Sequence, residues 1–497
     1  MSNFLLIFVI LMTASGLTYE LLTMALVTSL QGDSLVVFST MIGTYLFAMG
    51  CGSFVSRYVR GPFSIILIQT GYGIGFLGGL STTLLWMLFA WGSGFYLTAY
   101  LLLFLVGSLV GLQLPLLMRR LKETLKFKEL VSRVLALDYG GALLVSVAFP
   151  LILVPYLGLR YSALIFGLLN VAASLGYAVA FDREGRWNPL KFEGGVLLAL
   201  LSAVTFYTGP LEQATEQSLY AEPIIFSKST PYQRVVVTSS ARTTRLYLNN
   251  NLQFSSGDEY RYHEALVVPA LRSVENPRSV LILGGGDGLA AKLLLQDPRV
   301  EKITLVDLDP TVTRLFRTHP MLSKLNGGSL SSDKVRVINA DAFKWVEENG
   351  ETFDLAVVDF PDPSSFSVGK LYTTYFYRHL AARLNPGGAI VVQSSSPLKA
   401  RRSFWCIART LEEAGLAVKP YHAQVPSFGE WGFCLAQAGN RPALQPSRIS
   451  TRYVTEQLMP TLFVFPPDME RLEVLPNTLF DQQLVRYFRE DWAQQVY

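Results

Sequence analysis

Acidic residues follow the ends of four strands that the sequence predicts in its C-terminal half. The four motifs are G-G-G-D-G (284–288), V-D-L-D (306–309), N-A-D (339–341) and D-F-P-D-P (359–363). Each one comes directly after a short apolar run of the kind that forms a buried parallel strand. Ligands of such sheets bind beyond the carboxyl ends of the strands. We therefore expect the four motifs to converge on a single site.

The first three motifs suit an adenosine ligand. A glycine loop between a strand and a helix lets the backbone approach a ligand closely. The acidic pair Asp307 and Asp309 lies about 20 residues after that loop, where a carboxylate can accept the hydroxyls of a ribose, and Asp341 can accept from an adenine amino group. Leu289 departs from the dinucleotide fingerprint, no lysine follows the glycines to bind phosphate, and Asp287 would repel a pyrophosphate. An uncharged or cationic ligand, such as an S-adenosyl sulfonium compound, is favoured over NAD or ATP.

Further carboxylates at the same edge suit a cationic substrate. Asp287, Asp359 and Asp362 would attract a polyamine by simple charge complementarity. Neighbouring carboxylates also raise one another's pKa, which can make one of them an effective general base.

The elements that must position these residues form an α/β domain. Strands alternate with helical patterns from residue 258 to 440, which predicts a doubly wound, Rossmann-like domain of the methyltransferase type. Short strands within 222–257 predict a small β-rich subdomain before it. Residues 441–497 form a C-terminal extension in which we find no chemistry.

The first 210 residues differ sharply in charge from the rest. They contain 12 of the 42 Lys/Arg and 8 of the 38 Asp/Glu, which leaves 30 of each for 211–497. Apolar runs of about 20 residues are long enough to cross a bilayer. Residues 1–210 are thus predicted to be an all-α transmembrane bundle of about seven helices. The predicted spans are 4–30, 35–56, 63–91, 95–118, 134–155, 159–181 and 194–210.

Basic residues give these spans a direction. Eleven Lys/Arg fall on one side of the predicted spans, and Arg160 alone falls on the other. The positive-inside rule puts the eleven, and the N-terminus, in the cytoplasm. Seven spans would then carry the C-terminal half to the outer side of the membrane, and six would keep it in the cytoplasm. Glu20, inside the first span, is either a functional group or an interfacial, hydrogen-bonded glutamate.

Composition also excludes several classes of protein. The second half carries no net charge, so nothing supports nucleic-acid binding. Three cysteines and four histidines show no metal-ligand spacing, and no disulfide framework is implied. We expect no bound metal.

Seven stretches of the C-terminal half resemble the spermidine synthases, the polyamine aminopropyltransferases, and in particular their bacterial branch with an N-terminal multi-pass membrane domain. The matching stretches are S-T-P-Y-Q (229–233), L-Y-L-N-N-N-L-Q (246–253), D-E-Y-R-Y-H-E (258–264), G-G-G-D-G (284–288), V-D-L-D (306–309), D-F-P-D-P (359–363) and V-P-S-F-G-E-W-G-F (425–433).

The resemblance implies a reaction and a role for each matching residue. Decarboxylated S-adenosylmethionine would be a co-substrate, with no permanently bound cofactor, and an amine such as putrescine would accept the aminopropyl group to give spermidine and 5′-methylthioadenosine. Asp359 matches the catalytic aspartate. Residues that match the donor site are Gln233, Gln253, His263, Gly284, Gly286, Asp307 and Asp341. Residues that match the polyamine site are Tyr262, Asp287 and Asp362.

The resemblance also bears on location and assembly. It implies a multi-pass protein of the cell (inner) membrane that serves polyamine biosynthesis in contact with lipid, and it is compatible with a homo-oligomer. The family's Asp-Gly turn is Asn249-Asn250 here, and Phe428 replaces a tyrosine. The acceptor is therefore open among putrescine, cadaverine, spermidine and other amines. Two other functions stay open: a membrane-bound S-adenosylmethionine-dependent methyltransferase, and a polyamine sensor or transporter without catalysis.

Overall fold

The computed structural model describes residues 2–31, 35–92, 94–122, 127–182, 188–439 and 442–493. The chain divides into two compact units, the first ending at Pro223 and the second beginning at Ile224. This boundary lies beyond residue 210 because the last helix of the first unit continues to Gln217.

The described part of the N-terminal unit is helical throughout. Its helices are α1 (Ser2–Gln31), α2 (Leu35–Ser56), α3 (Phe63–Ala90), α4 (Phe95–Leu121), α5 (Phe127–Ala148), α6 (Gly158–Phe181) and α7 (Asn188–Gln217). A π-helical run, Phe149–Leu157, joins α5 to α6. Pro155 in this run has no N–H to donate, which disturbs the ordinary helical hydrogen bonds. Gly158 then takes a φ of +73°, and the next helix begins there.

Glycines let the helices of this unit approach one another closely. A Cβ on Gly52 of α2 would lie 1.9 Å from the carbonyl oxygen of Ser108 on α4, and one on Gly111 of α4 would lie 2.0 Å from that of Met49. Gly75 of α3 similarly faces Gly167 of α6. Small residues have this role wherever helices pack in an apolar medium. The glycines within 63–91 therefore serve packing.

Five helical stretches of the described residues are long and apolar enough to cross a membrane. They are Val36–Ser56, Phe63–Ala90, Phe95–Arg120, Val131–Ala180 and Asn188–Gln217. The fourth stretch contains two of the predicted spans, because helical structure continues through the π-helical run.

The C-terminal unit begins with a four-stranded antiparallel sheet in the order β1-β2-β3-β4. Its strands are β1 (Ile224–Ser229), β2 (Arg234–Ser239), β3 (Thr244–Leu248) and β4 (Asn251–Ser255). Asn249 and Asn250 make the turn between β3 and β4 with φ of +48° and +65°. Asparagine tolerates this left-handed conformation, so the tight turn is retained.

A seven-stranded mixed sheet follows, in the order β10-β11-β9-β8-β5-β6-β7. The strands are β5 (Ser279–Gly284), β6 (Lys302–Asp307), β7 (Val335–Asn339), β8 (Phe353–Asp359), β9 (Leu384–Gln393), β10 (Leu416–Val425) and β11 (Gly429–Ala438). Strands β5 to β9 run parallel, and β11 pairs antiparallel with both β9 and β10. The predicted Rossmann-like architecture is confirmed, with an antiparallel pair at one edge.

Helices cover both faces of this sheet, so its central strands are apolar throughout. Val280 and Ile282 of β5 belong to the core on one face, and Leu281 and Leu283 to the core on the other. The helices are α8 (Glu259–Ser273), α9 (Leu289–Leu294), α10 (Pro310–Thr318), α11 (Pro320–Leu325), α12 (Ala342–Glu348), α13 (Phe366–Gly369), α14 (Thr374–Ala381), α15 (Arg401–Glu413) and α16 (Gln483–Ala493). Short 3₁₀ turns are Ser329–Ser331, Lys370–Tyr372 and Met459–Phe463.

The C-terminal extension packs on its own domain. The carboxylate of Glu264 on α8 accepts hydrogen bonds from three consecutive backbone N–H groups, those of Arg452, Tyr453 and Val454 (2.7–3.0 Å). At the other end of the extension, Asp491 accepts from the backbone N–H and hydroxyl of Ser403 on α15.

Candidate active site

The glycine loop after β5 is shaped by its contact with the end of β8. Gly284 is the register partner of Asp359, and a Cβ on Gly284 would lie 2.2 Å from the Asp359 carbonyl oxygen. Gly284, Gly285 and Gly288 all have positive φ, from +62° to +82°. Only glycine meets both requirements at position 284 without strain.

Asp307 connects this loop to the end of β6. Its Oδ2 accepts from the backbone N–H of Gly286 (3.1 Å), and its Oδ1 accepts from that of Asp309 (2.9 Å). Burial of the carboxyl group raises the pKa of Asp307 to about 6, although both hydrogen bonds favour the ionised form. The structure thus brings Gly284, Gly286 and Asp307 together, as the sequence predicted.

Asp309 caps a helix and also accepts a hydrogen bond from the side chain of Gln233. Its Oδ1 caps α10 by accepting from the Thr311 N–H (2.8 Å). Its Oδ2 accepts from the Thr230 hydroxyl (2.8 Å) and from Nε2 of Gln233 (3.2 Å). These two bonds hold the connection between β1 and β2 against the end of β6. Gln233 therefore lies beside the Asp307 end of the site.

Tyr262 and Asp359 form a hydrogen-bonded pair. The hydroxyl of Tyr262 on α8 donates to Oδ1 of Asp359 at the end of β8 (2.6 Å). The tyrosine ring packs edge-on against Phe428, with 5.9 Å between the ring centroids, and at a tilt against Phe433, at 5.5 Å. Burial of the carboxyl group raises the pKa of Asp359, while His263 and the Tyr262 hydrogen bond act in the opposite direction.

His263 supplies a cation among these acids. Its Nδ1 donates to the backbone oxygen of Glu259 (2.8 Å) and approaches Oε2 of the same residue (3.1 Å). Burial alone would lower the pKa of His263. The Glu259 hydrogen bond and the charges of Asp287 and Asp359 outweigh that effect and raise the pKa to about 9. The imidazolium therefore offsets part of the negative charge of the site at neutral pH.

Burial is also the largest influence on the pKa values of two further acids of the site, Asp287 and Asp362. Burial raises the pKa of Asp287 to about 6 and that of Asp362 to about 7. Asp287 Oδ1 accepts from the Leu289 N–H (2.8 Å). Gln393 and Ser395 lie close enough to Asp362 to lower its pKa, yet among the described residues none completes a hydrogen bond to its buried Oδ1. An added N–H donor would satisfy that oxygen.

The chain is similar to known proteins of one family. A family model described as "Spermine/spermidine synthase domain" matches residues 259–446. A protein of Leptospira interrogans named "Polyamine aminopropyltransferase" is 46% identical over 99% of both chains. "Polyamine aminopropyltransferase 2" of Ralstonia nicotianae is 47% identical over 99% of this chain and 98% of its own. "Polyamine aminopropyltransferase 1" of Streptomyces coelicolor is 41% identical over 98% and 94%.

The chain belongs to the polyamine aminopropyltransferase family. The predicted family and the predicted class of enzyme are both confirmed by these relatives, which match the N-terminal unit as well as the catalytic domain. This membership establishes the reaction class of the enzyme.

Two further predicted residues of this aminopropyltransferase, Asp341 and Gln253, have other partners within the domain. Asp341 caps α12 by accepting from the Phe343 N–H (2.9 Å), and its other oxygen pairs with the Lys370 ammonium (2.7 Å). Gln253 on β4 donates to the carbonyl of Asn251, two residues earlier in its own strand (3.2 Å).

Several residues of the site escaped the sequence analysis. Glu259 partners His263, and its spacing of four residues on a helix is a signal that the sequence does contain. Tyr372 and Gln393 hold the loop after β8: the Tyr372 hydroxyl bonds to the carbonyls of Phe360 (3.3 Å) and Pro361 (3.1 Å), and Nε2 of Gln393 donates to that hydroxyl (2.9 Å). Nothing in their local sequence marks these two residues, because only the folded sheet brings them to the loop.

Proposed function

We propose that the C-terminal unit transfers an aminopropyl group from decarboxylated S-adenosylmethionine to a primary amine such as putrescine, giving spermidine and 5′-methylthioadenosine. The observation that carries this proposal is the pairing of Tyr262 with Asp359 beside Asp362, whose buried Oδ1 has no donor among the described residues. A carboxylate of that kind suits an ammonium or amine N–H.

The donor would lie along the glycine loop. Asp307 would accept the ribose hydroxyls and Asp341 the adenine amino group, which requires Asp341 to exchange its bond to Lys370 for one to the base. Gln233, Gln253 and His263 would contact the rest of the donor. Asp287, with its raised pKa, would hold the donor's amine or the polyamine together with Tyr262 and Asp362.

The chemical step needs a neutral amine. Asp359 would take a proton from the acceptor's ammonium, and Tyr262 would keep the carboxylate aimed at that nitrogen. The nitrogen lone pair then attacks the carbon next to the sulfonium, a C–N bond forms, and the C–S electrons return to sulfur. Because the leaving group is a neutral thioether, the step requires no general acid. Orientation of nitrogen and carbon would supply much of the rate enhancement.

A product assay tests the proposal. Purified protein is incubated with labelled decarboxylated S-adenosylmethionine, or with ordinary S-adenosylmethionine, and a panel of amines, and the products are identified by mass spectrometry. Aminopropylated amine from the decarboxylated donor alone supports the proposal. Methylated product would identify a methyltransferase instead, and amine binding without any product would point to a sensor or transporter.

We also propose that the N-terminal unit is embedded in the cell membrane. Its support is the five long apolar helical stretches, with basic residues concentrated on one side of the predicted spans. The protein should stay in the membrane pellet after an alkaline carbonate wash, and release into the supernatant would contradict the proposal. A phosphatase fused after Tyr497 then decides which face carries the catalytic unit, since it is active only outside the cytoplasm.

A further inference from the structure

One asparagine of the C-terminal extension contacts the turn that contains Tyr372. This turn is hydrogen-bonded to the loop between Asp359 and Asp362. Asn477 is fully buried (0% exposed). Its Nδ2 donates to the backbone carbonyls of Gly369 and Tyr372, each at 3.0 Å. The backbone carbonyl of Asn477 accepts a hydrogen bond from the Thr374 N–H, also at 3.0 Å. One residue thus fixes both ends of the turn formed by residues 369–374.

Asn477 is itself firmly held. Its backbone N–H donates to the hydroxyl of Thr410 on α15 (2.9 Å), and its Oδ1 accepts from the Leu484 N–H at the start of α16 (3.1 Å). The side-chain amide therefore uses both of its donors and its acceptor within the domain. A group fixed in this way can position its neighbours, since it has no alternative set of partners to turn to.

The turn at 369–374 leads directly to the catalytic loop. Tyr372, also fully buried, directs its hydroxyl to the carbonyls of Phe360 and Pro361. These two residues are the ones that separate Asp359 from Asp362. A continuous series of hydrogen bonds thus runs from Asn477 through the backbone and ring of Tyr372 to the peptide groups that carry both aspartates.

We propose that Asn477 is a positioning residue for aminopropyl transfer: it fixes Tyr372, which in turn holds Asp359 and Asp362 in their reactive arrangement. This inference rests on the function proposed above. Small misplacements of reacting groups have large effects on rate, of about 100-fold for 1 Å. The extension, which showed no chemistry in the sequence, then serves the reaction without touching the substrate.

The first test compares two buried anchors of the same extension. Asn477→Ala removes the bonds to Gly369 and Tyr372. Asp491→Ala is the matched control, because it detaches α16 from Ser403 without removing a bond to the 369–374 turn. Rates are expressed per folded active site, counted by stoichiometric binding of 5′-methylthioadenosine. We expect Asn477→Ala to lower kcat at least 10-fold with little change in the Kd of 5′-methylthioadenosine, and Asp491→Ala to keep kcat within about twofold of wild type.

A double-mutant cycle tests the route through Tyr372. Tyr372→Phe removes only the hydroxyl, and we expect it to lower kcat by itself. Adding Asn477→Asp, which keeps the size of the side chain but has no N–H to donate, should then cost much less than it does in the wild-type background. Coupled positions depart from additivity in this way.

The outcomes separate this inference from the function it rests on. If the wild-type protein transfers no aminopropyl group, the proposed function fails. If the wild type is active and Asn477→Ala keeps its kcat, or Asp491→Ala loses as much, the positioning role is wrong. Independent, multiplicative effects of Tyr372→Phe and Asn477→Asp would also overturn it. Should Asn477→Ala give no folded protein, the comparison is made with Asn477→Asp alone.

Discussion

The aspartates that follow neighbouring strands of the seven-stranded sheet fall into two groups, which differ in their hydrogen-bond partners. At the ends of β6 and β7, Asp309 and Asp341 cap the following helices and give their remaining oxygens to Thr230, Gln233 or Lys370. Beyond β5 and β8, Asp287, Asp359 and Asp362 have raised pKa values, and Asp362 retains a buried oxygen without a partner among the described residues.

The difference teaches which acids are available for chemistry. A capping carboxylate already accepts a hydrogen bond from a backbone N–H, which leaves it fewer lone pairs for a substrate. A carboxylate with a raised pKa and an unfilled acceptor gains most when an ammonium arrives. The same strand-then-aspartate pattern therefore supplies helix caps after β6 and β7 and, we propose, the acids closest to the chemical step after β5 and β8.

The largest effect should come from Asp359→Asn. The amide keeps the shape of the side chain but cannot accept a proton, and general-base groups contribute about 10²–10⁴-fold to rate. We expect kcat to fall by that amount, while calorimetry shows 5′-methylthioadenosine binding almost as in the wild type. Turnover close to the wild-type value would remove Asp359 from its proposed role.

Tyr262→Phe should have the next largest effect. It removes the hydroxyl that donates to Asp359, and hydrogen bonds to charged groups contribute about 1.5–3 kcal/mol, which corresponds to a fall of roughly 10–100-fold in kcat. Steady-state kinetics in amine and donor separately would measure it. Phe433→Leu, which alters a ring packed against Tyr262 and Tyr421 but leaves the Tyr262 hydroxyl in place, is the control, and an equal loss in that variant would assign the effect to packing.

Asp362→Asn should weaken binding of the amine and stabilise the fold, and the gain in stability should depend on pH. The folded-state pKa of Asp362, about 7, lies above the ordinary value of 3.8 for an aspartate, so the ionised carboxylate opposes folding above that range. This penalty disappears as the pH falls from about 7 to about 4. Relative to wild type, the variant should have a Tm several degrees higher at pH 8, an equal Tm at pH 4, and a KM for the amine raised by at least 10-fold.

A thermal scan at several pH values checks this prediction. His263 acts in parallel and in both proteins: its raised pKa gives stability that is complete below about 6.5 and is lost as the pH rises through about 9. A gain in Tm that is the same at pH 4 and pH 8 would show that the charge of Asp362 is not its cause.

The smallest effect on kcat should come from Lys370→Ala. The pair with Asp341 is about one-third exposed on each side, and such ion pairs contribute about 0–1 kcal/mol. We expect kcat within about threefold of wild type and unchanged or tighter binding of 5′-methylthioadenosine, because Asp341 loses a competitor. A loss of kcat as large as that of Tyr262→Phe would end the distinction between capping and catalytic acids.

Much of the fold was predictable because it follows from local pattern. Apolar runs such as Val280–Leu283 must be covered on both faces, and the run at 335–338 ends in the same kind of polar turn. The parallel order of these strands then brings their ends together. The ends of helices were harder to predict. Helix α7 continues to Gln217, beyond its apolar part. A helix ends where its hydrogen bonds or its packing contacts end, and hydropathy reports neither of these.

The site was predictable to the extent that its residues lie in motifs at strand ends. Gly284, Asp307 and Asp359 come together for that reason. Tyr372, Gln393 and Asn477 were not predictable, because each acts through contacts with residues far away in the sequence. The connection between Asn477 and Tyr372 spans 105 residues.

The sequence by itself determined which residue types gather at one edge of a sheet: a glycine loop, a line of aspartates and a charge-poor helical half. Period and composition suffice for that, since strand ends of a parallel sheet always meet. Only the tertiary structure decided which aspartates cap helices and which, among the described residues, have a raised pKa or a buried oxygen without a donor. That choice depends on desolvation and on the partners that reach each carboxylate, and both are properties of the packed interior.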